Sequence, residues 1–191
     1  TITIHGNSRS QGAETLTFTN IDFTTDKAGH YYFIDSNSAE SDERYAHNVT
    51  VDDCNFTATG AGINSAVAMR IRQGFDIAIN GGTFTGLHSV LQAYGNAGIN
   101  ITGIESNCKN GISVGSSTDV VITDSKIKAT GDTGYGVRAG DSNSNGVTVN
   151  GPFTITDSNI EAFIPVVVRG VNDDTDCVFN FTDDNTMTAS N

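Results

Sequence analysis

Apolar residues recur along this chain in pairs two apart, and a third usually follows five further on. A glycine, asparagine or aspartate always stands between. The clearest copy runs from Asp119 to Ile127 and reads Asp-Val-Val-Ile-Thr-Asp-Ser-Lys-Ile. With Val120 as position zero, the zero positions are Leu16, Val49, Ile77, Ile99, Val120, Phe153 and Phe179. Position plus four reads Asn20, Asp53, Gly81, Gly103, Asp124, Asp157 and Asp183. Position plus seven is apolar in five of seven copies, with Ser106 and Thr186 as the exceptions. Spacing by two puts both members of a pair on one side of a strand. Residues tolerated in the left-handed region at plus four imply a sharp bend there, followed by a second short strand.

A third strand completes the unit. Its inward pairs read Tyr32 and Ile34, Met69 and Ile71, Leu91 and Ala93, Ile112 and Val114, Tyr135 and Val137, Val166 and Val168. Zero positions are separated by 33, 28, 22, 21, 33 and 26 residues, so 21–22 residues is the minimal unit and the excess falls in loops. Such a unit cannot bury its apolar face alone and must stack on its neighbours. The expected fold is therefore all-β, a right-handed single-stranded parallel β-helix of about seven rungs with three short strands each. Residues 1–191 form a single β-helix domain, expected to be a segment of a longer protein. The role of Ile2 and Ile4, and of Val147 and Val149, stays open at this stage.

The repeat unit and its bend column resemble the pectin-lyase-like superfamily of parallel β-helices, over Leu16 to Thr186. The resemblance implies that the tight bend separates the second and third strands of the family's rung. The long loops then wall a polysaccharide cleft in front of the strand bearing Ile71, Val114, Val137 and Val168. It also implies a secreted or cell-surface location.

Composition narrows the partners. The net charge is −12, which disfavours nucleic acid, because phosphate binding needs clustered Lys and Arg. No apolar run is long enough to span a membrane. Cys54, Cys108 and Cys177 lack metal-ligand spacing and read as small buried thiols. His5, His30, His47 and His88 share no spacing and read as loop residues. Asp52-Asp53, Asp173-Asp174 and Asp183-Asp184 offer few oxygens for Ca²⁺, and solvated turns account for them better, so no cofactor is expected.

Candidate chemistry lies on the outward positions of the third strand. One outward column reads Asp35, Arg72, Tyr94, Gly115, Arg138 and Arg169, the other Phe33, Arg70, Gln92, Ser113, Gly136 and Val167. Four of the six arginines, Arg70, Arg72, Arg138 and Arg169, fall in these columns of an acidic chain. Arginine offers a planar fork to carboxylate or sulfate, and Tyr94 a flat face to a sugar ring. The expected ligand is an anionic, uronate-containing polysaccharide bound by Asp35, Arg70, Arg72, Tyr94, Arg138 and Arg169, in a noncatalytic adhesin-like module. One alternative is a polysaccharide lyase or glycoside hydrolase segment, pectate-lyase-like or a phage-type depolymerase. Glycosidases need two carboxylates astride the bond, and here only Asp35 is well placed, with Asp141 just past its strand. The other alternative is a passive spacer whose arginines pair with loop acids such as Asp141, Asp173 and Asp174.

Overall fold

A computed structural model describes residues 2–3, 14–29, 31–36, 47–72, 76–95, 98–115, 117, 119–140, 152–168, 178–182 and 184–190. The repeats fold into three parallel sheets of seven strands each, and successive copies occupy adjacent places in every sheet. The opening sheet holds Glu14–Thr19, His47–Asp52, Asp76–Asn80, Gly98–Thr102, Val120–Thr123, Phe153–Thr156 and Phe179–Phe181. The second sheet holds Asp22–Thr25, Asn55–Ala58, Thr83–Thr85, Glu105–Cys108, Lys126–Ala129, Asn159–Ala162 and Thr186–Ala189. The third holds Ile2–Thr3, Tyr32–Ser36, Val67–Arg72, Ser89–Tyr94, Ile112–Gly115, Tyr135–Ala139 and Ile164–Val168. This is a parallel β-helix. Ile2–Thr3 pairs with Ile34 and Asp35, which gives that segment its place. Ile4, Val147 and Val149 lie outside the described residues.

The zero and plus-two positions stack as read from sequence: Val49, Ile77, Ile99 and Val120 pair in one unbroken ladder and are buried. The second sheet stacks Phe23 on Phe56 and Phe56 on Phe84, with ring centroids 4.6 and 5.1 Å apart and planes within 8°. Offset aromatic stacking of this kind adds to the simple burial of apolar area. One column differs from expectation. Met187, not Thr186, pairs with Ile160, so the last copy carries one extra residue after its bend.

The bend column is left-handed wherever it is described. Asn20, Asp53, Gly81, Gly103, Asp124 and Asp157 have φ between 48° and 68°. The next residue caps the corner from inside. Ser125 and Ser158 hydroxyls each donate to a carbonyl two residues back, Thr123 and Thr156, at 2.8 Å. Each also accepts a backbone N–H from the preceding rung, from Ile104 and Ser125 respectively. The Cys54 thiol does the same work with longer contacts to Asp52 and Ile21. Cys54 and Cys108 are buried and free, and burial pushes the Cys108 thiol up to about 12.

The third sheet is where the register departs from the sequence reading. Ile34 pairs with Met69 and Val137 with Ile112, so the pairs written as Tyr32/Ile34 and Tyr135/Val137 each slide by two residues. The cause is a break in alternation at the start of these strands. Phe33 and Ile34 are both buried in the core, although they are consecutive. Phe33 meets Phe23 and Phe56 edge-on at 5.9 and 5.7 Å. Gly111 and Gly136 occupy the same column, against Ile127 and Ile160 of the second sheet. A Cβ on Gly111 would collide with the Gly136 carbonyl oxygen and lie 2.8 Å from Ile127 Cγ2. Phe33 and Gly136 are thus interior residues, not members of an outward column.

Candidate functional site on the outer face of the third sheet

With two successive residues turned inward, residues three apart emerge on one face. In a regular strand they would point to opposite sides. Ser89 and Gln92 show it directly, the Gln92 amide donating to the Ser89 hydroxyl at 3.4 Å. Tyr135 and Arg138 show it again, the guanidinium carbon lying 4.6 Å from the ring centroid. Tyr32 belongs to the same outer column, because Arg70 lies 3.9 Å over its ring. Tyr32 and Tyr135, read from sequence as core residues, are therefore surface platforms for arginines.

The corrected register also redistributes the arginines. One column now runs Asp35, Arg70, Gln92, Ser113, Arg138 and Val167. The second contains Arg72, Tyr94 and Gly115. Arg138 has moved from Tyr94's column into Arg70's. Arg169 lies outside the described residues, as do Asp141, Asp173 and Asp174.

The three described arginines are held differently. Arg70 makes a forked pair with Asp35, Nε to Oδ1 at 2.8 Å and Nη2 to Oδ2 at 2.7 Å. Only 16% and 13% of the two side chains is exposed, so water screens this pair less than a surface one. The hydrogen bonds to Asp35 raise the Arg70 pKa further, and its charge is permanent and locally compensated. Arg138 instead donates through Nε and Nη2 to the Ser113 hydroxyl at 3.1 and 2.9 Å. Ser113 is buried beneath this contact. Burial also raises the Tyr135 pKa, with the Arg138 charge and the Ser113 hydroxyl opposing the shift. Arg72 lies 5.8 Å from the Tyr94 ring, and its buried Nε has no hydrogen-bond partner among the described residues.

The chain matches no protein-family model, no curated protein and no solved structure. The site itself must carry the functional argument.

Of the six residues singled out in the sequence, five are described, and all five share this face: Asp35, Arg70, Arg72, Tyr94 and Arg138. The sequence reading missed Tyr32, Tyr135 and Ser113 as their supports. The spacing Tyr32-x-x-Asp35, Ser89-x-x-Gln92 and Tyr135-x-x-Arg138 is the signal that could have found them. Asp35 is the one carboxylate among the described residues of these columns, and Arg70 occupies both its oxygens. Among the described residues no group of three or more His, Cys, Asp or Glu could hold a metal ion. No helix among them is long and apolar enough to cross a membrane.

Proposed function

We propose that this chain is a noncatalytic, adhesin-like β-helix module, secreted or displayed at a cell surface, that binds an anionic polysaccharide across its third sheet. The observation that carries this reading is the placement of Arg72, Tyr94 and Arg138 on one outer face. Arg72 and Tyr94 are direct neighbours, and Arg138 lies three rungs from Arg70, a separation of ~14 Å at ~4.8 Å per rung. A sugar chain running along the stack would meet a cation, a flat ring and a second cation in turn. Uronate carboxylates suit the guanidinium fork, and Tyr94 suits a pyranose face. The kinship with pectin-lyase-like β-helices belongs to this reading and gives the same face the same job.

A depolymerase needs a second catalytic carboxylate or a free base. The Asp35–Arg70 fork occupies the one carboxylate among the described residues of these two columns, which favours binding over hydrolysis. The passive-spacer reading is met only in part, since Arg70 is paired with an acid of its own stripe.

The test is binding to polygalacturonate against a neutral glucan, with Arg72→Glu and Arg138→Glu. The native protein should prefer the uronate, and added salt should weaken binding. Each reversal should reduce affinity roughly tenfold or more, the worth of one charge-assisted contact. Equal, salt-insensitive binding of both polymers would sink the proposal.

A further inference from the structure

The second sheet carries a trough of its own, on a different sheet from the arginine-bearing face. It spans four consecutive inner rungs, from Thr83 to Asn159, and so depends on neither end of the stack. Two outward columns wall a space of about 550 Å³, with Ser106 and Ile127 in its floor. One wall carries Glu105, Lys126 and Asn159 on successive rungs, the other Asn107, Lys128 and Glu161.

Two of the chain's four lysines stand here, two apart on one strand and therefore on the same outer side. Lys128 is tied to Glu161 at 2.8 Å. Lys126 has Glu105 beside it in register on one rung and Asn159 on the next. Among the described residues neither Lys126 nor Glu105 makes an ion pair or a side-chain hydrogen bond. An open cation and an open anion thus stand one rung apart, a separation of ~4.8 Å.

An anion alone would leave Glu105 unanswered, and an amine alone would meet two lysines. The complementary ligand carries both charges about one rung apart. An α-amino acid holds its charges closer than that, whereas a two-carbon bridge between a phosphate and an amine spans the gap. Lysine meets phosphate as a point charge, and asparagine amides such as Asn107 and Asn159 both donate and accept. Among the described residues no aromatic ring lines the trough, so it lacks the cage that favours quaternary ammonium. We propose that this trough binds a zwitterionic aminoalkyl phosphate, its phosphate between Lys126 and Lys128 and its primary ammonium on Glu105. Walls this exposed imply a dissociation constant of about 1 mM.

Calorimetric titration with phosphoethanolamine, inorganic phosphate and phosphocholine tests it. Phosphoethanolamine should bind tightest of the three. Glu105→Gln should weaken it roughly threefold to fivefold, the scale of one exposed ion pair, and leave inorganic phosphate unchanged. Lys126→Gln should weaken both. Both side chains are exposed, and far-UV circular dichroism confirms that each variant is folded. Phosphatidylcholine vesicles with and without phosphatidylethanolamine run alongside. Capture by the ethanolamine vesicles alone assigns the group to a lipid headgroup, and binding of the soluble compound without capture assigns it to a free ligand. Equal binding of phosphate and phosphoethanolamine, an unaffected Glu105→Gln, or no binding in either form overturns the proposal.

Discussion

The second and third sheets are built from the same rungs, yet their outer faces hold polar side chains in opposite ways. On the second sheet Thr83, Glu105, Lys126 and Asn159 follow one another in an exposed column that lines a trough of about 550 Å³. Among the described residues its one ion pair, Lys128 to Glu161 at 2.8 Å, leaves 49% and 41% of the side chains exposed. On the third sheet the polar groups lie down. Arg70 rests on Tyr32 and grips Asp35, and Arg138 rests on Tyr135 and grips Ser113. The difference is not one of charge. It comes from the break in alternation, which brings residues three apart onto one face and gives each guanidinium a ring beneath it. A fixed cation loses less freedom on meeting a ligand than a waving one, so of the two faces the third sheet is the better prepared for the polysaccharide binding proposed above.

That contrast can be attacked at its root. Gly111→Ala places a methyl group against the Gly136 carbonyl and Ile127 at the kink itself. It should cost about 3 kcal/mol in a urea titration. A value near zero would mean that the kink yields easily and the face is not rigidly built. Next in size is Asp35→Ala, which leaves the Arg70 guanidinium mostly covered and uncompensated. A loss of about 2 kcal/mol is expected in the same titration.

A smaller effect is expected in alkali. Tyr135 has a pKa raised above its ordinary 10.0 in the folded chain. Its contribution is therefore complete below the unfolded value and is lost as pH climbs through the folded one. Stability followed from pH 9 to 11 (a range bracketing the phenol's usual ~10) should fall more steeply in the native chain than in Tyr135→Phe. Parallel curves would place the ring in water. The least effect belongs to the second sheet, where Lys128→Ala should cost no more than about 0.5 kcal/mol. A loss matching that of Asp35→Ala would erase the distinction between the faces.

The opening sheet and the bend were legible because each is fixed by a local rule. Alternation sorts Val49 from Thr50, and the left-handed corner admits few residue types, so Asp124 and its equivalents could be aligned on sight. The third sheet obeys a rule that is not local. Whether Phe33 or Tyr32 turns inward depends on Phe23 and Phe56 across the interior, which sequence alternation cannot see. A slip of two residues preserves the side of each residue along a regular strand, so it left Arg70 and Arg138 outside. The kink is what moved Phe33 and Gly136 in and Tyr32 and Tyr135 out. The same blindness hid Met187, one residue past its expected place.

The left-handed corner also sets how this molecule can change size. Gly103 and Asp124 share a backbone conformation, φ 68° and 48°, and stand 21 residues apart at equivalent points of adjacent rungs. Cutting at one and rejoining at the other would remove a whole turn while leaving each flanking turn's own corner intact. Duplication would add one by the same join. Length in such a rod is a digital quantity, adjustable in increments of ~4.8 Å. A lineage could tune the reach of the arginine-bearing face by counting turns, without redesigning any of them.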